Sequence, residues 1–209
     1  MHPEPLHLYV DARFVSPYAL SAFVALREKG LAFETVQVDL DNAAQHQPHY
    51  AGLSLTHRVP TLVQGDFALS ESSAITEYLD ESFPGQRLYP QAVQARAKAR
   101  QVQAWLRSDL LPIRSERNTL VVFCGHRVVA PLSADAQQAA DKLFKAALAL
   151  LSDDREYLFG EWSIADVELA VMLNRLVLNG DPVPARLADY AARQWQRPSV
   201  QQWLDLPRA

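Results

Sequence analysis

The chain has a single cysteine, Cys124, among its 209 residues. One thiol cannot build a disulfide framework, and with no cysteine near Ser16-Pro17 a dithiol redox mechanism is excluded as well. Cys124 follows an apolar run and is expected to be buried and inert. Glycine is scarce, at 7, and no glycine-rich phosphate loop is present. No apolar run reaches the ~18 residues of a membrane span. The longest candidate, from Val167 to Leu178, is interrupted by Glu168, Asn174 and Arg175. The opening Met1-His2-Pro3-Glu4-Pro5 lacks a basic n-region and an apolar h-region, so no secretory signal and a cytoplasmic setting are expected. Basic excess is missing too. A net charge of −4 gives no general reason to bind nucleic acid or an anionic membrane. His46 and His49 stand without a third ligand, so no metal site is expected.

What is present suits a folded protein: 49% hydrophobic and 21% charged residues. The pattern over the first 80 or so residues reads β-α-β-α-β-β-α. Leu6 to Asp11 is a strand. Ser16-Pro17 supplies an N-cap and an N1 proline for a helix that ends at Gly30. Residues 33–38 form a second strand, 42–50 a polar helix or loop, and 61–64 and 67–69 a hairpin across Gly65-Asp66. A helix follows from Glu71, with Ile75, Tyr78 and Leu79 on one face. Residues 84–92 read as a linker, and beyond it the pattern is helical throughout. One long helix is expected from 93 to about 120, bent at Pro112, then helices over 134–152, 163–179, 184–192 and 198–206. There is no internal repeat.

Two short stretches carry chemistry. Arg58-Val59-Pro60-Thr61-Leu62 is a strand opened by a proline, which can hold a cis bond and leave the preceding backbone free for a peptide ligand. Ser70-Glu71-Ser72-Ser73 opens a helix, whose unpaired N–H groups and partial positive charge suit a carboxylate. Ser70 is the expected cap of that helix. Together they predict a site for a small, acidic, peptide-like molecule. In the long helix Asp109 falls on the apolar face of Val102, Trp105, Leu106 and Ile113, where a carboxylate needs a partner, an arginine being the expected one. Arg96, Arg100, Arg107 and Arg114 line the other side as a solvated or intersubunit face. Ser163-Ile164-Ala165-Asp166 is a capping box with Trp162 and Val167 at the staple positions, a structural feature.

Ser16-Pro17-Tyr18, the Arg58–Leu62 stretch, Leu69-Ser70-Glu71-Ser72-Ser73-Ala74-Ile75 and Gly160-Glu161-Trp162-Ser163-Ile164-Ala165-Asp166, in this order, resemble the cytosolic glutathione S-transferases over the whole chain. The resemblance implies an α+β thioredoxin-like domain with a mixed four-stranded sheet over residues 1–83, a linker over 84–92 and an all-helical bundle over 93–209. It implies glutathione as co-substrate, no metal, a homodimer, no nucleic acid or membrane partner, and a hydrophobic electrophile or hydroperoxide as second substrate.

The same resemblance assigns roles. Ser16 would stabilise the glutathione thiolate. Val59, Pro60, Glu71, Ser72, Gln45, His46, Arg58 and Asp109 would bind glutathione, with Asp109 reaching the ligand across a dimer interface or pairing within its own chain. By position alone, Phe14, Trp105, Leu106 and Arg114 are the residues expected to line the electrophile pocket. A free thiol has a pKa near 8.5, so only ~3% is thiolate at pH 7, and lowering it by ~2 units takes about 2.7 kcal/mol. A hydroxyl at a helix N-terminus contributes to this as a donor, and serine is too weak a base to take the proton itself. Ser16 also reads as a plain N-cap; one donor and two lone pairs let both roles coexist. Tyr9 and Tyr18 are rival donors that read better as packing residues. The reactions implied are conjugation and hydroperoxide reduction, with isomerisation at the same site a third. The alternative is a non-catalytic binding protein or stress-related interaction protein on the same scaffold.

Overall fold

Alternation of Leu6, Leu8 and Val10 with His7 and Tyr9 gives β1 (Leu6–Asp11) one fully buried face. The computed structural model describes residues 4–152 and 155–208, so the opening Met1-His2-Pro3 lies outside the described residues. They fall into two compact units, one up to Leu88 and again from Pro198, the other Tyr89–Arg197.

In the first unit β1 leads to α1 (Pro17–Glu28), β2 (Phe33–Val38), a 3-10 turn at Ala44–His46 and α2 (Pro48–Ala51). The strands β3 (Thr61–Gln64) and β4 (Phe67–Ser70) and the helix α3 (Ser72–Ser82) follow. Helix α1 ends where the sequence places its stop: Gly30 takes φ +66°, and the Leu31 N–H reaches back to the Leu26 carbonyl at 3.1 Å. The strand order is β2-β1-β3-β4, with β1 and β2 parallel and the other pairings antiparallel. Leu8 lies opposite Leu62, and this face packs with Leu20, Phe23 and Val24 of α1 and Ile75 and Leu79 of α3, all buried. Tyr9, Thr61 and Ser70 are register partners on the other face, where the Tyr9 ring meets the ring of Tyr50 at 5.5 Å.

Residues 84–92 contain no helix or strand, and their first half is tied down within the first unit. The buried Lys29 ammonium bonds Asp80 at 2.9 Å and the Phe83 carbonyl at 3.0 Å, and Asp80 in turn accepts from the Leu88 N–H at 2.9 Å. Leu88 is buried.

The second unit holds α4 (Val93–Ser108), α5 (Leu111–Glu116), α6 (Thr119–Cys124), α7 (Ala134–Leu150), α8 (Ile164–Val177) and α9 (Ala185–Trp195). The single long helix expected from 93 to 120 is three helices. Pro112 lacks an N–H and belongs to a first turn. Leu110 takes φ +61°, and the Arg114 guanidinium captures the α4 end by donating to the carbonyls of Leu106 at 2.8 Å and Arg107 at 2.7 Å. Asp109 is thus the residue after α4, not part of an apolar stripe. Arg100, Arg107 and Arg114, expected on a solvated or intersubunit face, make contacts within the chain. Arg107 pairs with Glu168 at 2.8 Å, Arg114 is spent on carbonyls, and Arg100 lies over the Tyr89 ring at 5.9 Å. Cys124 is exposed, contrary to expectation, because α6 stops there at Gly125 with φ +65°.

Helix α8 is buried nearly all round, as its composition predicts. Its start carries the capping box. The carboxylate of Asp166 accepts from the Ser163 N–H at 2.8 Å, the Ser163 hydroxyl at 2.9 Å, the Leu158 N–H at 2.9 Å and the Tyr190 hydroxyl at 2.9 Å. Burial pushes the Asp166 carboxyl up against these bonds, and burial with the adjacent carboxylate pushes the Tyr190 phenol well up. The last helix, α10 (Pro198–Leu204), clusters with the first unit and not with the helical bundle in which the sequence places it. It packs on α1, where Trp203 stands edge-on to Phe14 and Phe23 at 5.5 and 5.3 Å.

Candidate functional site

Strand directions bring the sequence motifs to one end of the sheet. Parallel β1 and β2 both finish at Asp11 and Val38, while antiparallel pairing puts the start of β3 and the finish of β4 beside Tyr9. The segments 12–16, 39–60 and 71–73 therefore leave or enter the sheet at the same edge.

Ser16 caps α1, its Oγ accepting from the Ala19 N–H at 3.2 Å, and it is half-buried. A hydroxyl that accepts at a cap keeps its own proton available for a second partner. What fixes Ser16 is Asp11, a residue the sequence does not single out. Its carboxylate, 4% exposed, accepts from the Val15 N–H at 2.7 Å and the Ser16 N–H at 3.0 Å. The apolar alternation of β1 ends at Val10, and a carboxylate just after it reads as the start of a surface loop; its real partners are amides four and five residues ahead.

Burial pushes the Asp11 carboxyl above 3.8, against the Val15 and Ser16 amides and the Arg13 charge. A folded-state pKa above the unfolded one stabilises below the unfolded value, and that contribution is lost as pH rises through the folded value. Asp11→Asn removes the titration. Its stability relative to the parent should therefore rise as pH climbs from about 4 through the acid range. Denaturant melts of both chains at several pH values check this; parallel curves would contradict it.

The Val59–Pro60 peptide bond is cis. Ser70 is not the cap of α3 but the last residue of β4, buried against Ser54 and Thr61 at 3.0 and 3.3 Å. The N-cap is Glu71, exposed, at φ +73° and with no side-chain bond to the helix. A non-glycine residue in that region costs about 1–3 kcal/mol and turns the chain from strand to helix within one residue. The Glu71 side chain does not cap the first turn of α3. Ser72 opens that turn and is buried. Gln45 is half-buried, and its Oε1 is a buried acceptor without a partner. His46 is exposed, with its ring 5.8 Å from that of His57. The Arg58 side chain is exposed, while its carbonyl accepts from Tyr50 at 2.6 Å.

Tyr9 is half-buried against Tyr50, and Tyr18 is 37% exposed at the start of α1. Phe14 is a core residue of the first unit, 2% exposed, packed on Trp203. In the second unit Leu106 is buried. The Trp105 indole donates to Asp109 at 2.9 Å. Asp109 is paired within its own chain, by Lys142 and not by an arginine. The Lys142 ammonium, the Leu110 N–H and the Trp105 indole hold its carboxyl down at about 2. Among the described residues no group of three or more His, Cys, Asp or Glu is placed to hold a metal, and no helix is long and apolar enough to cross a membrane.

Family models match both parts of the chain: the glutathione S-transferase N-terminal domain over residues 15–82 and the C-terminal domain over residues 92–208. Glutathione S-transferase 3 of Zea mays is 32% identical over 211 residues, covering 95% of this chain and 87% of that protein. Glutathione S-transferase F10 of Arabidopsis thaliana is 40% identical over 87 residues, a match limited to 41% of this chain and 39% of that protein. A solved glutathione transferase homolog from Burkholderia GL BGR1, with bound glutathione, has a TM-score of 0.80 at 48% identity and covers 96% of this chain and 97% of its own. With models of both halves matched and relatives aligned over nearly its full length, the chain belongs to the glutathione S-transferase family.

Proposed function

We propose that the protein is a glutathione transferase in which the Ser16 hydroxyl stabilises the thiolate of bound glutathione. The observation that carries this reading is the state of Ser16: its oxygen is occupied by the helix amide, its backbone is pinned by buried Asp11, and its proton is uncommitted to that cap. The positive end of α1 adds to the field at the same point. The Val59 backbone would pair with the cysteinyl backbone of the tripeptide. Glu71, Ser72 and the start of α3 would take the γ-glutamyl end, and Gln45, His46 and Arg58 the glycyl carboxylate. A glutathione-binding domain over 1–83, a helical domain that begins at 93 and assembly as a homodimer belong to the same proposal. So does reach of Asp109 to the partner's ligand, which would require it to leave Lys142.

The thiolate sulfur would attack an electrophilic carbon, forming a C–S bond while the leaving group departs with its electron pair. With an organic hydroperoxide, thiolate attack on the distal oxygen would break the O–O bond, leaving a sulfenic acid and an alkoxide that takes a proton from water to give the alcohol. A second glutathione would convert that to the disulfide and water. A tripeptide thiol with a depressed pKa supports both. The test is a pH titration of the thiolate absorbance of glutathione bound to the protein. The midpoint should lie about 2 units below the free thiol. Binding with an unshifted midpoint would favour a non-catalytic binding protein, and absence of binding would reject the transferase and favour an interaction protein on the same scaffold.

A further inference from the structure

The face of the sheet turned away from α1 carries a buried cluster of hydroxyls that no step above uses. Tyr50, Ser54 and Thr61 are 0%, 1% and 0% exposed, and Ser70 is 8% exposed. They converge on one backbone atom, the Arg58 carbonyl oxygen, approached by Tyr50 at 2.6 Å, Ser54 at 3.2 Å and Thr61 at 3.3 Å. A carbonyl has two lone pairs, so the two nearer hydroxyls are its donors. Thr61 lies 3.0 Å from the Tyr50 oxygen, and Ser70 lies 3.0 Å from that of Ser54. An assignment in which Thr61 donates to Tyr50 and Ser70 to Ser54 uses every proton. Burial raises the Tyr50 phenol above its ordinary 10.0, so it remains a neutral donor.

The cluster joins three pieces of chain that sequence separates: α2 with its following turn through Tyr50 and Ser54, the start of β3 through Thr61, and the end of β4 through Ser70. Each piece borders a proposed ligand contact. Arg58 precedes Val59, Thr61 follows Pro60, and Ser70 precedes Glu71. We infer that Tyr50 and Ser54 are positioning residues for glutathione: by clamping the Arg58 carbonyl they set the placement of the Val59 backbone that the tripeptide pairs with. This rests on the function proposed above. Pairing along a peptide backbone is equally strong in the bound and the reacting state, so its loss acts on KM and spares kcat.

The test uses the full chain, glutathione and an activated aryl halide. Tyr50→Phe deletes one oxygen and leaves the ring against Tyr9. KM for glutathione should rise about fivefold to tenfold, with kcat within about twofold of the parent. The thiolate midpoint should not move, because Ser16 and Asp11 are untouched. Ser54→Ala removes the second donor and should act in the same direction, and it carries the test if Tyr50→Phe does not fold. A lowered melting temperature with unchanged KM would make the cluster merely structural and overturn the inference, as would a fall in kcat at constant KM. Parent protein that binds glutathione while both variants keep its KM defeats the positioning role alone. Parent protein that shows no binding heat defeats the proposed function and this inference together.

Discussion

Replacing Ser16 by alanine should lower glutathione-dependent kcat/KM by about 10²–10³-fold, the usual effect of deleting one donor to a developing or stabilised anion. The same change removes the cap bond to Ala19 and should destabilise the chain by about 1 kcal/mol. The two effects are separable. Ser16→Asp keeps an accepting oxygen at the cap and the favourable interaction with the helix end, but supplies a negative charge where the sulfur anion would sit. It should retain stability and lose activity at least as completely as alanine. Ser16→Thr keeps both the acceptor and the proton and should stay within about tenfold of the parent. Steady-state kinetics and a melt on each variant give the comparison. The thiolate midpoint of bound glutathione should return toward that of the free thiol in the alanine variant. If turnover is unchanged in Ser16→Ala, the role passes to Tyr9, which lies half-buried on the same strand that ends in Asp11, or to Tyr18, the second residue of α1.

The parts of this molecule that its sequence makes legible are those set by local rules. Strand alternation at Leu6, Leu8 and Val10, the Ser16-Pro17 start and Gly30 stop of α1, and the Ser163–Asp166 capping box each depend on residues within a turn or two of one another, and each stands where it is expected. The misreadings arise where a distant or irregular partner decides. Ser70 looks like a cap because hydroxyls favour that position; two other buried hydroxyls, Ser54 and Thr61, hold it in the sheet instead, and Glu71 takes the cap at a backbone angle that no propensity favours. The helix expected to run through Asp109 breaks because Arg114 reaches back to the carbonyls of Leu106 and Arg107, a bond invisible to helical periodicity. Within residues 84–92, which read as linker from Pro and Gly alone, the Leu88 N–H is held by Asp80, itself paired with Lys29 51 residues away, a tie that composition does not show. Asp11 and Tyr50 escape notice for the same reason. Their chemistry is directed at backbone amides and a carbonyl, which leave no side-chain signature in the sequence.

Replacing Asp166 by alanine should be the most destabilising single change considered, about 4 kcal/mol or more, placing it among the exceptional substitutions. The reason is the number of donors it leaves behind. The N–H groups of Leu158 and Ser163 and the hydroxyls of Ser163 and Tyr190 all donate to this one carboxylate, at a position that is 0% exposed. An orphaned buried donor costs about 1–3 kcal/mol, and the alanine also leaves a void. Rotation of the Ser163 hydroxyl relieves one of the four, since a hydroxyl can also accept; the two amides cannot turn away without unwinding the start of α8. At roughly 2–4 °C per kcal/mol for a chain of this size, the melting temperature should fall by about 10 °C or more. Asp166→Asn separates the carboxylate from its shape. Its carbonyl can still serve Leu158 and Tyr190, whereas its NH2 group faces the Ser163 N–H, so one amide is orphaned and a loss of about 2 kcal/mol is expected. Tyr190→Phe removes a donor together with its need for an acceptor and should cost less than either. The order Ala, Asn, then Phe at position 190, read from denaturant melts, tests whether the donors converging on Asp166 hold the second unit together. Equal losses for the two Asp166 variants would assign the effect to the missing charge instead.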